Sequence, residues 1–235
     1  MLTLSNLFTN KVFLVSYPDP NIKIFLEKAG GIVSFDLDSS EKRYDAVVFP
    51  PGDDISPFLY GEVKYKRTTC NLVRDMVENR LYRKIPNTIP KIGIGRGGQF
   101  LNIMNGGRLW QNVSGHQINH DVVNFIDGET YFVSSKHHQE MIPAKHGFVT
   151  LGAAASDVKE TPQKLVRCDI ALDKAKHNYR DVEGVYYEDT ASYCFQPRVY
   201  GTPLHKAEKE SNELFFNHME NYLKDQFYLT FRLAS

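Results

Sequence analysis

The stretch that decides the fold runs from Pro90 to Gly107 and reads PKIGIGRGGQFLNIMNGG. Its first part, KIGI, is a short apolar run of the kind that forms buried strands. Gly95 follows at the point where the chain must turn, and the apolar residues of QFLNIM then recur at helical spacing. The segment therefore predicts a strand, a tight turn at Gly95 and a helix that begins near Arg96.

The flanking sequence repeats this alternation of strands and helices. KVFLVSY, GIVSFDL and YDAVVFPPGDD read as strands, and NIKIFLEKAGG reads as a helix that stops at Gly30 and Gly31. Between Asn71 and Ile85 the periodicity predicts a helix with one apolar, core-facing side, made of Leu72, Val73, Met76, Val77 and Leu81. The pattern predicts an α/β fold with a mostly parallel central sheet and helices on both faces.

The second half of the chain has shorter apolar runs, which are TYFVSS, FVTLGAAAS, EGVYYE and ASYCFQ. The last two, separated by DTA, predict a hairpin, so antiparallel strands are expected beside the parallel ones. Phe215, Met219 and Tyr222 predict a closing helix, and the apolar tail 227–235 is expected to pack on the domain, with an edge strand or a partner contact as alternatives. No linker divides the chain, so residues 1–235 are expected to form one domain.

The composition limits the partners and the compartment. Lys plus Arg and Asp plus Glu both number 28, so no net charge favours a nucleic acid or an anionic membrane as partner. Cys70, Cys168 and Cys194 lack CxxC spacing, which argues against a disulfide framework or a thiolate zinc site and favours the reducing cytoplasm. The apolar segment near the N-terminus is too short to span a membrane.

Four ordered segments resemble the class I glutamine amidotransferase family, in the branch that includes gamma-glutamyl hydrolases. They are VVFPPGDDISPFLYGE, IPKIGIGRGGQFLNIMNGGRLWQNVSGHQ, SSKHHQEM and YCFQPRVYG. The second resembles the family's nucleophile elbow, usually Gly-Ile-Cys-Arg-Gly-x-Gln, and the fourth falls where the family has Gln-x-His-Pro-Glu. The resemblance implies a flavodoxin-like amidotransferase fold and, in active members, a cysteine that attacks the side-chain amide of glutamine or a gamma-glutamyl bond.

The resemblance places Gly95, Arg198 and Tyr200 at the positions of the catalytic cysteine, histidine and glutamate. Glycine has no heteroatom, arginine stays protonated and tyrosine supplies no carboxylate, so the catalytic chemistry is expected to be absent. We expect a catalytically inactive member that acts as a binding or regulatory module. The alternatives are an amidotransferase or gamma-glutamyl hydrolase whose cysteine was replaced by engineering or relocated to Cys194, and a subunit that depends on a partner chain.

The resemblance also implies that a pocket remains around the turn. The backbone N–H groups of Gly52 and Arg96 fall at the oxyanion-hole positions. Arg198 is expected to approach the N-terminal end of the helix, where a carboxylate or phosphate would be favoured, or else to pair with Asp53 or Asp54. The residues expected to bind a small anionic or glutamine-like ligand are Gly52, Arg96, Gln99, His138 and Arg198.

Histidines form two further patterns. His116 and His120 are four apart in GHQINH, a spacing that can bind zinc on a helix, and His137 and His138 are adjacent. His116 follows a glycine in what reads as a loop, and no acidic or thiolate third ligand is evident in the sequence. The sequence therefore predicts no metal site and no cofactor, while it leaves a protein partner open.

Overall fold

The computed structural model describes residues 7–37, 44–154, 159–160, 181–224 and 226. The first elements are β1 Val12–Val15, α1 Pro20–Lys28, β2 Ile32–Ser34, β3 Ala46–Phe49, α2 Leu72–Lys84, β4 Lys91–Ile94 and α3 Arg96–Met104. Short strands follow: β5 Arg108–Trp110, β6 Asn112–Val113, β7 His120–Asn124, β8 Thr130–Val133, β9 Glu140–Ile142, β10 Phe148–Ala153 and β11 Lys159–Glu160. The last elements are β12 Asp181–Tyr187, β13 Ser192–Phe195 and α4 Lys206–His218, which a π-helical turn at Met219–Leu223 extends.

Nine strands form one mixed sheet in the order β2-β1-β3-β4-β13-β12-β10-β7-β8. The four neighbouring pairs from β2 to β13 are parallel. The four pairs from β13 to β8 are antiparallel. The expected α/β class is confirmed, with the antiparallel strands supplied by the C-terminal half. The predicted hairpin is β12 and β13, joined by a 3-10 turn at Glu188–Thr190.

Helices cover both faces of the sheet because consecutive strand residues point to opposite sides. Phe13 of β1 lies in the core that α1 and α4 complete, and its neighbour Leu14 lies in the core that α2 and α3 complete. In the second core Phe49 of β3 stacks on Phe100 of α3, with ring centroids 5.1 Å apart. The strand-turn-helix segment of β4 and α3 is thus fixed between the central strands and a packed helical layer.

The closing helix packs as its periodicity predicted. Phe215 and Met219 are buried in the first core, and Tyr222 packs against it. The apolar tail 227–235 and Cys168 lie outside the described residues. None of the helices among the described residues is long and apolar enough to cross a membrane.

The buried side of helix α2 differs from the one that the sequence predicted. Four residues of the predicted core-facing side are exposed, and they are Leu72, Val73, Met76 and Val77. Of that side only Leu81 is buried, whereas the side chains of Arg74, Asp75 and Glu78 are buried on the other side of the helix. The reason is an ion-pair network with Arg96 of α3, which compensates for the burial of charge.

Candidate functional site

Gly95 forms the turn between β4 and α3, as the sequence predicted. Its backbone has φ +55° and ψ −116°, and it is the residue before the first turn of α3. Its N–H donates to the carbonyl oxygen of Phe195 at 2.7 Å, which ties the turn to the end of β13. A residue with a side chain is strained at this φ, so glycine removes a cost that a nucleophile at this position would carry.

The space around the turn is still open to a side chain. A Cβ added to Gly95 would lie 3.7 Å from Cβ of Pro51 and 3.9 Å from the carbonyl oxygen of Gln196, both ordinary van der Waals distances. By contrast, a Cβ at Gly97 would lie 1.8 Å from the carbonyl oxygen of Phe49, so α3 packs directly on β3. The turn carries no side chain and has room for one.

The loop from Pro50 to Gly52 lies beside the turn and is held by Arg74. The guanidinium of Arg74 donates to the carbonyl oxygens of Pro50 at 2.8 Å and of Pro51 at 3.0 Å. A Cβ at Gly52 would lie 2.1 Å from Nη1 of Arg74, so the loop and the guanidinium are in close contact. Arg74 therefore positions the loop that carries the Gly52 N–H, one of the two expected oxyanion-hole donors.

The side chain of Arg96 is buried and does not face a ligand. Its guanidinium forms ion pairs with Asp75 and Glu78, while Glu78 also pairs with Arg74 at 3.3 Å. Burial and the nearby Arg74 cation lower the pKa of Arg96 to about 10, although Asp75 acts in the opposite direction. Arg96 thus remains a cation at neutral pH, and only its backbone N–H, at the start of α3, can contribute to the predicted pocket.

Arg198 and Tyr200 both form a hydrogen bond with Ser134. Arg198 is exposed, and its backbone N–H donates to the carbonyl oxygen of Ser134 at 3.0 Å. The hydroxyl of Tyr200 lies 2.8 Å from Oγ of the same serine. Tyr200 also lines a cavity of about 160 Å³ between α1 and α4, next to Phe25 and Phe216. Neither side chain reproduces a histidine held by a glutamate.

His138 pairs with Asp54, one of the two carboxylates that were expected as partners of Arg198. Its Nε2 lies 3.1 Å from Asp54, and this hydrogen bond raises the pKa of His138 despite partial burial. Among the described residues no salt bridge joins Arg198 to Asp53 or Asp54, so the alternative of such an ion pair is not observed. Gln99 is buried and donates to the carbonyl oxygen of Gln139 and to Oε1 of Gln196, each at 3.1 Å, so its amide braces α3 against two neighbouring segments.

Cys194 lies on β13 in the second hydrophobic core and has no exposed surface. Burial raises the pKa of its thiol well above the ordinary value. A thiol of this kind is neither accessible nor ionised at neutral pH, so it cannot serve as a relocated nucleophile.

The structure also joins histidines that the sequence could not connect. His116 and His120 meet His137 and Glu183, which come from distant parts of the chain. The signal that could have found them was the second histidine segment, SSKHHQEM, whose two rings face different neighbours: His137 faces Glu183 and His138 faces Asp54. Glu183 had no local signal, because nothing in the strand sequence DVEGVYY distinguishes its carboxylate from that of Asp181.

Comparisons with known proteins agree with this geometry. Residues 35–149 match the Peptidase C26 family. The glutamine amidotransferase-like protein YvdE of Lactococcus lactis subsp. lactis and its homolog from Lactococcus lactis subsp. cremoris are each 31% identical over 147 residues, or 50% of this chain. The match spans 62% of the first relative and 78% of the second.

A solved glutamine amidotransferase from Thermotoga maritima shares the fold. Its TM-score is 0.51 at 17% identity, over 90% of this chain and 84% of that one. At this identity the likeness concerns the fold alone. With the relatives above and the strand-turn-helix geometry at Gly95, it shows that the chain belongs to the class I glutamine amidotransferase-like family.

Proposed function

We propose that this protein is a catalytically inactive amidotransferase-like protein, which acts as a cytoplasmic binding or regulatory module. The observation that carries the proposal is Gly95, which occupies the elbow with φ +55° and offers no heteroatom for attack on an amide. Arg198, at the position that the resemblance gives to the general base, is exposed and carries a guanidinium, which has donors but no acceptor for a proton. Without a nucleophile and a base, the remaining oxyanion donors can bind a substrate but cannot turn it over.

The alternative is an active hydrolase with a relocated nucleophile. Cys194 is a poor candidate because its thiol is buried and its pKa is raised well above the ordinary value. The Nε2 of His138 lies 3.1 Å from Asp54, an arrangement that can orient a histidine as a general base, but Gly95 supplies no thiol for it to activate. The buried thiol of Cys194 and the missing side chain at Gly95 favour the inactive protein.

Covalent labelling tests this proposal. A glutamine analogue with an electrophilic diazoketone should leave the wild-type chain without a glutamine-protected adduct in intact-mass measurements. Gly95→Cys provides the positive control, because its thiol would stand at the elbow with Pro51 as its nearest neighbour. A wild-type adduct that free glutamine suppresses would support the active-hydrolase alternative instead.

The ligand of this module is proposed to be a small carboxylate or phosphate. The supporting features are the backbone N–H groups of Gly52 and Arg96 and the exposed cationic side chain of Arg198. Calorimetric titration with glutamate and with phosphate should show binding that Arg198→Ala weakens at least tenfold. The matched control is Arg80→Ala, which removes an exposed arginine from α2. No heat with either anion, or equal affinity in both variants, would remove the anion from the proposal.

A second candidate function is that of a partner-dependent subunit. The observation that favours it is the exposed apolar side of α2, made of Leu72, Val73, Met76 and Val77. The same helix carries Arg74, which donates hydrogen bonds to the loop beside Gly95. A protein bound to this side of α2 would therefore affect the residues around Gly95 through Arg74. Cross-linking of the wild type and of Val73→Asp compares the two directly: a partner lost in the variant supports this function, and an unchanged pattern contradicts it.

A further inference from the structure

Three histidines and one glutamate converge beside β12. His116 lies in the loop before β7, His120 begins β7, His137 lies between β8 and β9, and Glu183 is on β12. One potential ligand atom from each of the four side chains lies within 4.8 Å of the others. The side chains of His116, His137 and Glu183 are buried, and that of His120 is 17% exposed. The cluster is therefore nearly enclosed, with one partly open side at His120.

The inner atoms of this cluster have no hydrogen-bond partners. Oε1 of Glu183 lies 3.0 Å from Nδ1 of His116, 3.1 Å from Nε2 of His137 and 3.6 Å from Nε2 of His120. These contacts do not have hydrogen-bond geometry, and the three nitrogens and both oxygens of Glu183 are buried without a hydrogen-bond partner among the described residues. Buried polar atoms are rarely left in this state, because each one costs free energy.

The outer nitrogen of each ring is held by a group that can only accept a hydrogen bond. The contacts are 3.0 Å for His116, 3.0 Å for His120 and 2.9 Å for His137. The acceptors are Oδ2 of Asp181 and the backbone carbonyl oxygens of Ile118 and Gln139. In a neutral ring the proton then sits on the outer nitrogen, and the lone pair of the inner nitrogen points into the cluster. This arrangement is the one that orients histidines in metal sites.

We propose that this cluster binds one divalent transition-metal ion, with zinc as the preferred ion. The ligand atoms are Nδ1 of His116, Nε2 of His120, Nε2 of His137 and a carboxylate oxygen of Glu183. Zinc bonds of about 2.0–2.2 Å give a tetrahedron with edges of roughly 3.4 Å, close to the nitrogen-oxygen distances in the cluster. Three imidazoles and one carboxylate suit zinc, and four protein ligands with little exposure are typical of a structural site.

Two carboxylates also favour a cation at this point. Oδ2 of Asp181 lies 3.0 Å from Nε2 of His116, and Oε1 of Glu183 lies 3.0 Å from Nδ1 of the same ring. A proton on one of the rings is the competitor of the metal, and the cluster would then be a buried ion pair. Zinc-binding measurements separate the two occupants.

The metal would fix segments that contact the residues around the turn at Gly95. The carbonyl oxygen of Glu183 accepts from the backbone N–H of Gln196 at 2.9 Å, and Gln196 in turn accepts from Gln99 of α3. His137 precedes His138, which pairs with Asp54. The ion would hold β7, β12 and the loop after β8 together.

Metal analysis of the full chain, purified without an affinity tag and dialysed against zinc, tests the proposal. Plasma mass spectrometry should find one zinc per chain. Competition with a chromogenic chelator should show at least a hundredfold weaker zinc binding in His120→Gln and Glu183→Gln, and unchanged binding in the control His146→Gln, which alters an exposed histidine outside the cluster. EDTA should lower the Tm of the wild type and of the control and leave that of His120→Gln unchanged.

Cobalt replaces zinc in a second measurement that needs no folded variant. The wild-type chain loaded with Co²⁺ should show the intense visible absorption of a tetrahedral site. Equal zinc retention in the wild type and in His120→Gln, a Tm that EDTA does not change, or only weak octahedral cobalt bands would each overturn the proposal and leave a histidine-carboxylate ion pair.

Discussion

At the scale of single residues, the description of the site depends on Gly95. Replacement by cysteine should give a folded protein, because the nearest atom to the new Cβ is 3.7 Å away. The positive φ should nevertheless lower the free energy of unfolding by about 1–3 kcal/mol. Urea unfolding measures the loss. Gly128→Ala, in an open turn with φ +80° and no atom within 4 Å of the new Cβ, gives the backbone cost alone. A loss in Gly95→Cys far above that control would contradict the open pocket.

The burial of His218 predicts that the folded state is destabilised by acid. It is buried, its Nε2 lies 2.9 Å from Oδ1 of Asn124 and its Nδ1 meets the hydroxyl of Tyr193. Burial lowers the pKa of His218 from 6.5 to about 3. Between these two pH values the unfolded chain binds a proton at His218 and the folded chain does not. Stability should therefore fall as the pH drops below about 6.5.

The contribution of His218 should be about 2 kcal/mol between about pH 7.5 and about pH 5. His218→Gln should remove that part of the pH dependence, whatever its effect at neutral pH. Urea unfolding of both proteins at the two pH values measures the difference in slope. Parallel pH profiles of the wild type and the variant would contradict the buried neutral ring.

The sequence predicted the residues whose roles depend on local chain geometry. The turn at Gly95 follows from its place between a strand and a helix, and the burial of Cys194 follows from its apolar run. Long-range pairs could not be predicted in the same way. Asp54 lies 84 residues from its partner His138, and nothing in the local sequence distinguishes this partner from Arg198.

At the scale of elements, substitutions on the two sides of α2 should differ strongly in their effect on the free energy of unfolding. Glu78→Gln should lower the free energy of unfolding by about 3 kcal/mol or more, because Arg96 would then lose a carboxylate in a buried site. Val73→Ser should change it by about 0.5 kcal/mol or less, because Val73 is 75% exposed. Chemical unfolding of both variants checks the pair. A larger loss in Val73→Ser than in Glu78→Gln would restore the orientation that the sequence predicted.

The error for α2 has a physical cause. Periodicity shows that a helix has two sides and where its apolar residues lie. The side that faces the protein depends on what the neighbouring element presents, and here α3 presents the cation of Arg96. A buried charge that finds its partners 18 and 21 residues earlier is a tertiary feature, so the helix was predictable while its orientation was not.

At the scale of the whole molecule, the alternation of strands and helices predicted the fold class, whereas the order of the strands required the structure. β13 lies beside β4 in parallel, although all the strands from β5 to β12 lie between the two in the chain. That pairing places the residues after β13 next to the turn at Gly95. The same long-range pairings bring His137 and Glu183 next to His116 and His120. The sequence therefore did not identify His137 and Glu183 as members of the cluster.

The most direct test of the central claim is the release of ammonia from glutamine by the purified wild-type chain. A coupled glutamate dehydrogenase assay should give a rate equal to that of buffer and of heat-unfolded protein, at every glutamine concentration. A rate that saturates with glutamine and disappears in Arg198→Ala would contradict the claim that this amidotransferase-like protein is inactive.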